Sequence, residues 1–347
     1  MSTRAKGIMT PAEYFMAMDI QGSIQAVVCL LGFITNIINI KTFLAMGAST
    51  DGVTLTLLSL AISDFCVCFG GLGVCIGSFL LSQETKRISR GQMVKNFFAV
   101  DPAFIAVFFA TVFQIFTVTT ILITIYLAVT RCLCVIRPLQ FRNVITVRKT
   151  LVVVAAFSLF ALANRLPILS LTGLTMAFDP RINATRPMTS MHLNRETIKD
   201  IIWASVDMPL CIGAQIILSV CIGIMLKGLR SAAEFRFSAS GAGNTGSDED
   251  KSKDKLGLKD ARIIKQLVLV SSIFIICNTP KLLTYFGTVL EPAFYIEGRY
   301  QLFYMCMCSI FAVFDTINSS VNMFVYYFYN AKFRRILENM GSTDIKY

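Results

Sequence analysis

Five ionisable side chains stand where the surrounding sequence is apolar: Asp64 in LSLAISDF, Arg165 in LANRLP, Asp207 two residues before Pro209, Lys281 directly after Pro280, and Asp315 in AVFDT. Charge surrounded by hydrocarbon is costly and marks function more often than decoration. A lysine without a partner at such a depth is especially expensive, so Lys281 is expected to meet Asp207 or Asp315. These three are candidate ligand-binding residues, although the same residues would serve equally as an ion pair that never touches a ligand. Asp64 keeps different company. Asn36, Thr120, Asn318, Ser319 and Asn322 offer only amides and hydroxyls. A carboxylate so placed can hold a sodium ion or a water cluster through oxygen ligands, or can be satisfied as a protonated acid by the same neighbours. Neither arrangement is catalytic. There is no nucleophile–base constellation, no phosphate loop and no metal-ligand spacing; His192 is the sole histidine, and the eleven cysteines lie in or at the end of apolar runs. Such cysteines act as small apolar residues, so neither an enzyme, nor a bound metal, nor a disulfide framework is expected.

The elements that must position these groups are long. Of 347 residues, 55% are hydrophobic and only 15% charged, with a mean hydropathy of +0.65. That is too little charge for a soluble surface, and apolar runs recur at the length of about 20 residues needed to cross a bilayer. Seven spans are expected, at Ile24–Met46, Val53–Leu81, Phe97–Val135, Val147–Met176, Thr197–Leu229, Asp260–Leu290 and Tyr300–Tyr329. The fold class is all-α: a seven-helix membrane bundle of residues 23–330, preceded by a short segment, 1–22. An odd count puts the termini on opposite sides. The net charge of +11 is weighted towards the loops on the C-terminal side, which makes that side cytoplasmic and the N-terminus extracellular. The plasma membrane is the expected location, and nucleic acid is not an expected partner.

On the cytoplasmic side Arg131 ends the third span and Asp260 opens the sixth, where the two could lock the spans together or simply be solvated. Pro209 and Pro280 each remove a backbone donor and permit a bend. Residues 238–255, SASGAGNTGSDEDKSKDK, are small and charged, as in a disordered loop. After the last span, in 331–347, Phe333, Ile336, Leu337 and Met340 recur at helical spacing beside Lys332, Arg334 and Arg335. This predicts a short amphipathic helix on the membrane surface. Asn183-Ala184-Thr185 is a glycosylation sequon between the fourth and fifth spans.

In order along the spans, these motifs resemble the rhodopsin-like, class A family of G-protein-coupled receptors, over roughly Ile24 to Leu337. Asn36 resembles the asparagine of the first span. LAISD ending at Asp64 resembles the L-x-x-x-D motif, and Arg131 with Pro138-Leu139 resembles the D-R-Y arginine and its P-L loop. Pro209 and Cys277-Asn278-Thr279-Pro280 resemble the prolines of spans five and six, and Asn322–Tyr326 resembles N-P-x-x-Y. The resemblance implies a receptor that binds an extracellular ligand and activates a heterotrimeric G protein, with Arg131, Asp260, Asn278, Pro280 and Tyr326 as the switch. KTFLAMG, TRCLCVIRPL and FVYYFYNAKFRR are most similar to an invertebrate, molluscan group of peptide-like or chemosensory receptors.

The departures are specific. Thr130 replaces the acid before the arginine, Met323 the proline of N-P-x-x-Y, and Asn278 the tryptophan of span six. Ala106 stands near one partner of the family's disulfide, and 172–199 contains no cysteine for the other. Phe113 and Gln114 occupy the place where amine receptors use an aspartate, so a simple amine is disfavoured and both join the candidate ligand-binding residues. Two other classes compete. A retinal protein needs a lysine in span seven, and Tyr300–Tyr329 has none. A transporter or channel is the remaining alternative, against which stand the odd span count and the lack of an internal repeat.

Overall fold

The computed structural model describes residues 8–89, 100–136, 146–179, 184–240, 248–296 and 298–343. The elements run α1 (Pro11–Ala45), α2 (Gly52–Ser89), α3 (Pro102–Ile136), α4 (Val147–Ser170), β1 (Thr172–Asp179), β2 (Ala184–Met191), α5 (Arg195–Ile202), a π-helical turn (Trp203–Asp207), α6 (Met208–Ser240), α7 (Asp248–Leu290), α8 (Gln301–Ser320), α9 (Asn322–Tyr329) and α10 (Ala331–Thr343). Among the described residues, seven helical stretches are long and apolar enough to cross a membrane, α5 with α6 forming the fifth and α8 with α9 the seventh.

In three places the boundaries lie away from where hydropathy puts them. Helix α1 begins at Pro11, not near Ile24, so the expected division at residue 22 falls inside a helix. The cause is a capping box: the Glu13 amide donates to Thr10 Oγ1 at 3.3 Å, the Thr10 amide to Glu13 Oε2 at 2.8 Å, and proline suits the first turn. The fourth span ends at Ser170 rather than Met176. Beyond it, Thr172–Asp179 pairs antiparallel with Ala184–Met191, Thr172 opposite Met191, which adds a hairpin to an otherwise helical fold. Helices also run into the segment expected to be disordered, to Ser240 and again from Asp248; 241–247 lie outside the described residues.

Close packing in the bundle depends on small residues. A Cβ on Gly70 would sit 2.8 Å from the Phe113 amide nitrogen, and one on Gly77 2.5 Å from that of Ala106, so α2 and α3 touch backbone to backbone. Large apolar side chains such as Val27, Leu159, Ile217, Ile276 and Phe328 turn outward, as lipid-facing residues do. The apolar core lies at the end away from the hairpin, where Phe43, Leu218, Phe274 and Tyr326 pack together. Phe333 of α10 inserts its ring there, 5.3 Å from Phe43, and Lys332 Nζ donates to the Met46 carbonyl at 2.9 Å. The amphipathic helix is thereby docked on the bundle.

Candidate functional site

At the hairpin end the helices form an open-mouthed cavity of about 390 Å³. Four charged residues from four spans form its base. Arg165 of α4 pairs with Asp207, and Lys281 of α7 pairs with Asp315 of α8. Lys281 therefore meets Asp315, and Asp207 is taken by Arg165, a residue left out of the candidate ligand-binding set. Both cations are buried, Arg165 4% and Lys281 6% exposed. The Lys281 ammonium also lies 5.4 Å from the centroid of the Phe311 ring, a cation–π arrangement. Phe113 and Gln114 line the same space, Phe113 buried and Gln114 exposed to it.

Asp207 reaches this place through the π turn Trp203–Asp207. Pro209 has no amide hydrogen to give the preceding turn, and a π bulge accommodates the extra residue. Sequence reading placed a bend at Pro209; it did not foresee the wider turn ahead of it. Nearer the mouth stand Lys199, Asp200, Trp203, Tyr285, Tyr295 and Phe311. Tyr295 donates its hydroxyl to Asp200, and Trp203 packs edge-on against Tyr285 at 5.5 Å. None of these was singled out from the sequence. The one usable signal was that Trp203 is the sole tryptophan, placed near a span terminus where an amphipathic ring is favoured.

About one helical turn deeper than Lys281, Asn278 joins α7 to α6. Its Oδ1 accepts from Cys211 Sγ at 2.9 Å, and its Nδ2 donates to Gln215 Oε1 at 3.2 Å. Gln215 and Thr279 both donate to the Ile275 carbonyl, one residue before the Ile276 carbonyl whose helical donor Pro280 lacks.

Deeper again lies Asp64, wholly buried. Asn322 Nδ2 donates to its Oδ2 at 2.8 Å, the Thr120 hydroxyl stands 3.1 Å from Oδ1, and Ser319 contributes a further hydrogen bond. Asn36 belongs to the adjoining shell, donating to the carbonyls of Gly32 and Ser319 at 2.9 and 2.8 Å. Asn318 does not join: it is half-buried and outside this network. The seventh span breaks at Val321, just before Asn322. The break that aims Asn322 at Asp64 thus forms with Met323 in place of proline.

A second charged cluster ties the hairpin down. Asp101, at the start of α3, accepts from the Thr189 amide at 2.9 Å and hydroxyl at 2.5 Å. Arg186 of β2 bridges Glu84 of α2 at 2.6 Å and Asp179 of β1 at 2.8 Å. Burial works against ionising Asp101, but Thr189, Ala103 and the charge of Arg186 prevail and hold its carboxyl below the usual range. Burial likewise works against Arg186, whose carboxylate partners more than offset it and hold its guanidinium higher.

Compared with known families, residues 35–326 match the seven-transmembrane receptor (rhodopsin family) model. The chain belongs to that family. No curated protein matched the sequence. The receptor's departures from the family pattern can now be placed. Where the family's disulfide would tie span three to the loop after span four, this receptor has Ala106 packed against Gly77 and the Asp101–Thr189 and Arg186 contacts instead; every cysteine is free. Among the described residues, Thr130 bonds to carbonyls of its own helix, at Tyr126 and Leu127. Its neighbour Arg131 acts electrostatically on Asp51, which caps α2 by accepting from the Val53 and Thr54 amides. Burial raises the Asp51 carboxyl, but the Thr54 and Val53 bonds and Arg131 lower it further. The side chain of Asp260, the partner expected for Arg131, lies outside the described residues, as does Asn183 of the sequon. Tyr326 is 1% exposed, and its hydroxyl has no hydrogen-bond partner among the described residues; its ring packs between Phe43 and Phe333.

Proposed function

We propose that this receptor binds an extracellular ligand in the hairpin-end cavity and passes the event to a heterotrimeric G protein at the opposite end. The observation that carries this reading is the base of the cavity. Two ion pairs there join spans four to five and six to seven, so a charged ligand that competes for one partner alters the link between two helices. Lys281 directly follows Pro280, so a change in its pairing acts at the bend of span six. The Asn278–Cys211–Gln215 contacts lie next along the path, then Asp64 with Asn322, then the Tyr326 ring. Energy spent at the cavity can reach the far end through these layers only if they adopt two arrangements.

A sodium ion suits the Asp64 site on the chemistry of its donors. The site offers one carboxylate and the hydroxyl oxygens of Thr120 and Ser319, with no neighbouring cationic side chain among its hydrogen-bond partners. Such an ion would be held in the inactive arrangement and would steady the break at Val321. On this reading the Asn183 sequon is extracellular and glycosylated.

The test is nucleotide exchange on co-expressed G proteins, measured beside ion flux in the same cells during a screen of peptides and waterborne chemosensory compounds. Exchange that requires the ligand, and that Lys281→Met weakens at equal surface expression, supports the reading. Ligand-dependent flux without exchange would replace it with a channel or transporter.

A further inference from the structure

The two edges of the hairpin are finished in different ways. The outward edge of β2 is occupied. The Asp101 amide donates to the Pro187 carbonyl at 3.3 Å, the Thr189 amide donates to Asp101 Oδ2 at 2.9 Å, and Pro187 has no amide hydrogen to leave bare. A residue in an antiparallel pair sends its amide and carbonyl to the same side, and the side alternates along the strand. Pro187 and Thr189 therefore face away from β1. Their partners across the ladder are Met176 and Leu174, and Phe178 follows by the same alternation. These three residues turn their backbone groups away from β2. Among the described residues, no backbone group of another segment bonds to them.

β1 also lacks the devices that blunt an edge. Its sequence, TGLTMAFD, holds no lysine and no proline, and it runs opposite β2 for eight residues in continuous register. The side chains of Leu174, Met176 and Phe178 share one face, where they are 40%, 68% and 59% exposed. Arg186, bonded to Glu84 and Asp179, occupies the other face. An apolar row thus runs beside a row of unpaired amides and carbonyls. Water satisfies the backbone but not the row, and lipid covers the row but not the backbone. A further strand does both. A second receptor is a poor match for so short an edge, because a stable protein–protein interface uses roughly 20–30 residues a side. A short extended peptide matches it in length.

We infer that the outward edge of β1 is a docking site for an extended peptide segment. The segment adds as a third, antiparallel strand and sets alternate apolar side chains beside Leu174, Met176 and Phe178. No described residue of the hairpin lines the cavity. The edge is therefore a separate site, and it does not depend on the cavity's being the place where the receptor takes its ligand.

The test is binding to the purified full-length receptor in lipid nanodiscs. The probe is the capped hexapeptide acetyl-Val-Thr-Val-Thr-Val-Thr-amide, carrying a dye and followed by fluorescence anisotropy. It should bind at or below about 1 mM and shift the NMR signal of the Met176 methyl group, assigned through Met176→Leu. In an antiparallel third strand the valine amides face β1 and the threonine amides face away. N-methylation of the valines should weaken binding by about tenfold or more, and N-methylation of the threonines should leave it unchanged. Met176→Pro removes one outward donor and no ladder bond, as Pro187 does opposite it. It should keep the thermal midpoint and weaken the peptide about fivefold. The methylated peptides decide the matter independently of any variant. No binding up to about 1 mM, or equal binding by the two methylated forms, overturns the inference. A lipid-borne paramagnetic agent that broadens the Met176 signal more than a water-borne one would give the row to the membrane and overturn it too. So would paired receptors in a disc that Met176→Pro separates, which would give the edge to a second copy.

Discussion

Asp64 and Asp315 are both carboxylates inside the bundle, and the fold treats them in opposite ways. Asp315 faces a lysine; Asp64 faces an asparagine and hydroxyls. The first arrangement is strong as a pair and fragile in its parts, because removing either member leaves an uncompensated charge away from water. The second has no obligate partner, so it tolerates the loss of its charge while the hydrogen bonds remain. A pair of the first kind holds helices until something competes for one member. A site of the second kind is suited to accepting a small cation. Two buried acids on neighbouring helices are thus held in two different ways.

The largest expected effect comes from breaking the fragile arrangement. Asp315→Ala should destabilise the receptor by about 3–5 kcal/mol, seen as a large fall in thermal midpoint and surface expression. Lys281→Met combined with Asp315→Leu should restore much of that loss while abolishing the ligand response. If the double variant is as unstable as the single one, the pair is not the reason for the loss.

Next in size is the hairpin cluster, an ionic counterpart of a covalent tie. Arg186→Met strands Glu84 and Asp179 together and should cost a few kcal/mol, whereas dithiothreitol should change neither stability nor binding, since the cysteines are free. A sizeable effect of reductant would show that the hairpin is held in another way. The cluster also carries a pH signature. The Asp101 carboxyl is lowered in the fold, so its contribution is fully present above the ordinary aspartate value, about 4, and is lost as pH falls through the lower folded value. Midpoints followed from pH 6 down to about 3 should fall more steeply for wild type than for Asp101→Asn.

Asp64→Asn should have a smaller effect on stability, about 1 kcal/mol in either direction, because an amide replaces one hydrogen-bonding group with another. Its readout is salt. Replacing sodium with a large organic cation should shift agonist potency in wild type and not in the variant; equal shifts would leave Asp64 a purely structural residue. The smallest change in stability belongs to Asp51→Asn. Asp51 is exposed, and screened charges of this kind contribute 1 kcal/mol or less. Basal nucleotide exchange should nevertheless rise several-fold if Asp51 restrains Arg131 in the place of the acid that Thr130 lacks. Unchanged basal exchange at equal expression would separate the two residues.

The sequence was explicit about everything that depends on composition over a long stretch. Seven apolar runs and the amphipathic period after Tyr329 were enough to give the bundle and the helix that follows it; that α10 docks on the bundle through Phe333 was not among the expectations. It was also explicit about the cost of a bare lysine, which is why a partner for Lys281 was expected. It could not say which acid. Asp207 and Asp315 stand at comparable depth, and only the π turn, which turns Asp207 towards Arg165, resolves the choice. The same limit accounts for the fourth span. LTGLTMAF is apolar enough to continue a helix, but pairing with Ala184–Met191 satisfies its backbone as a strand, and pairing is a non-local property. Helix α1 was misjudged for the reverse reason: Thr10-Pro11-Ala12-Glu13 is a local start signal that a hydropathy window averages away. What tertiary structure alone decided was which charges meet. Arg186 with Glu84, Asp101 with Thr189 and Arg165 with Asp207 are separated by 102, 88 and 42 residues, distances over which neither period nor propensity carries information. A bare lysine within the bundle needs a counter-charge, but the fold chooses which one.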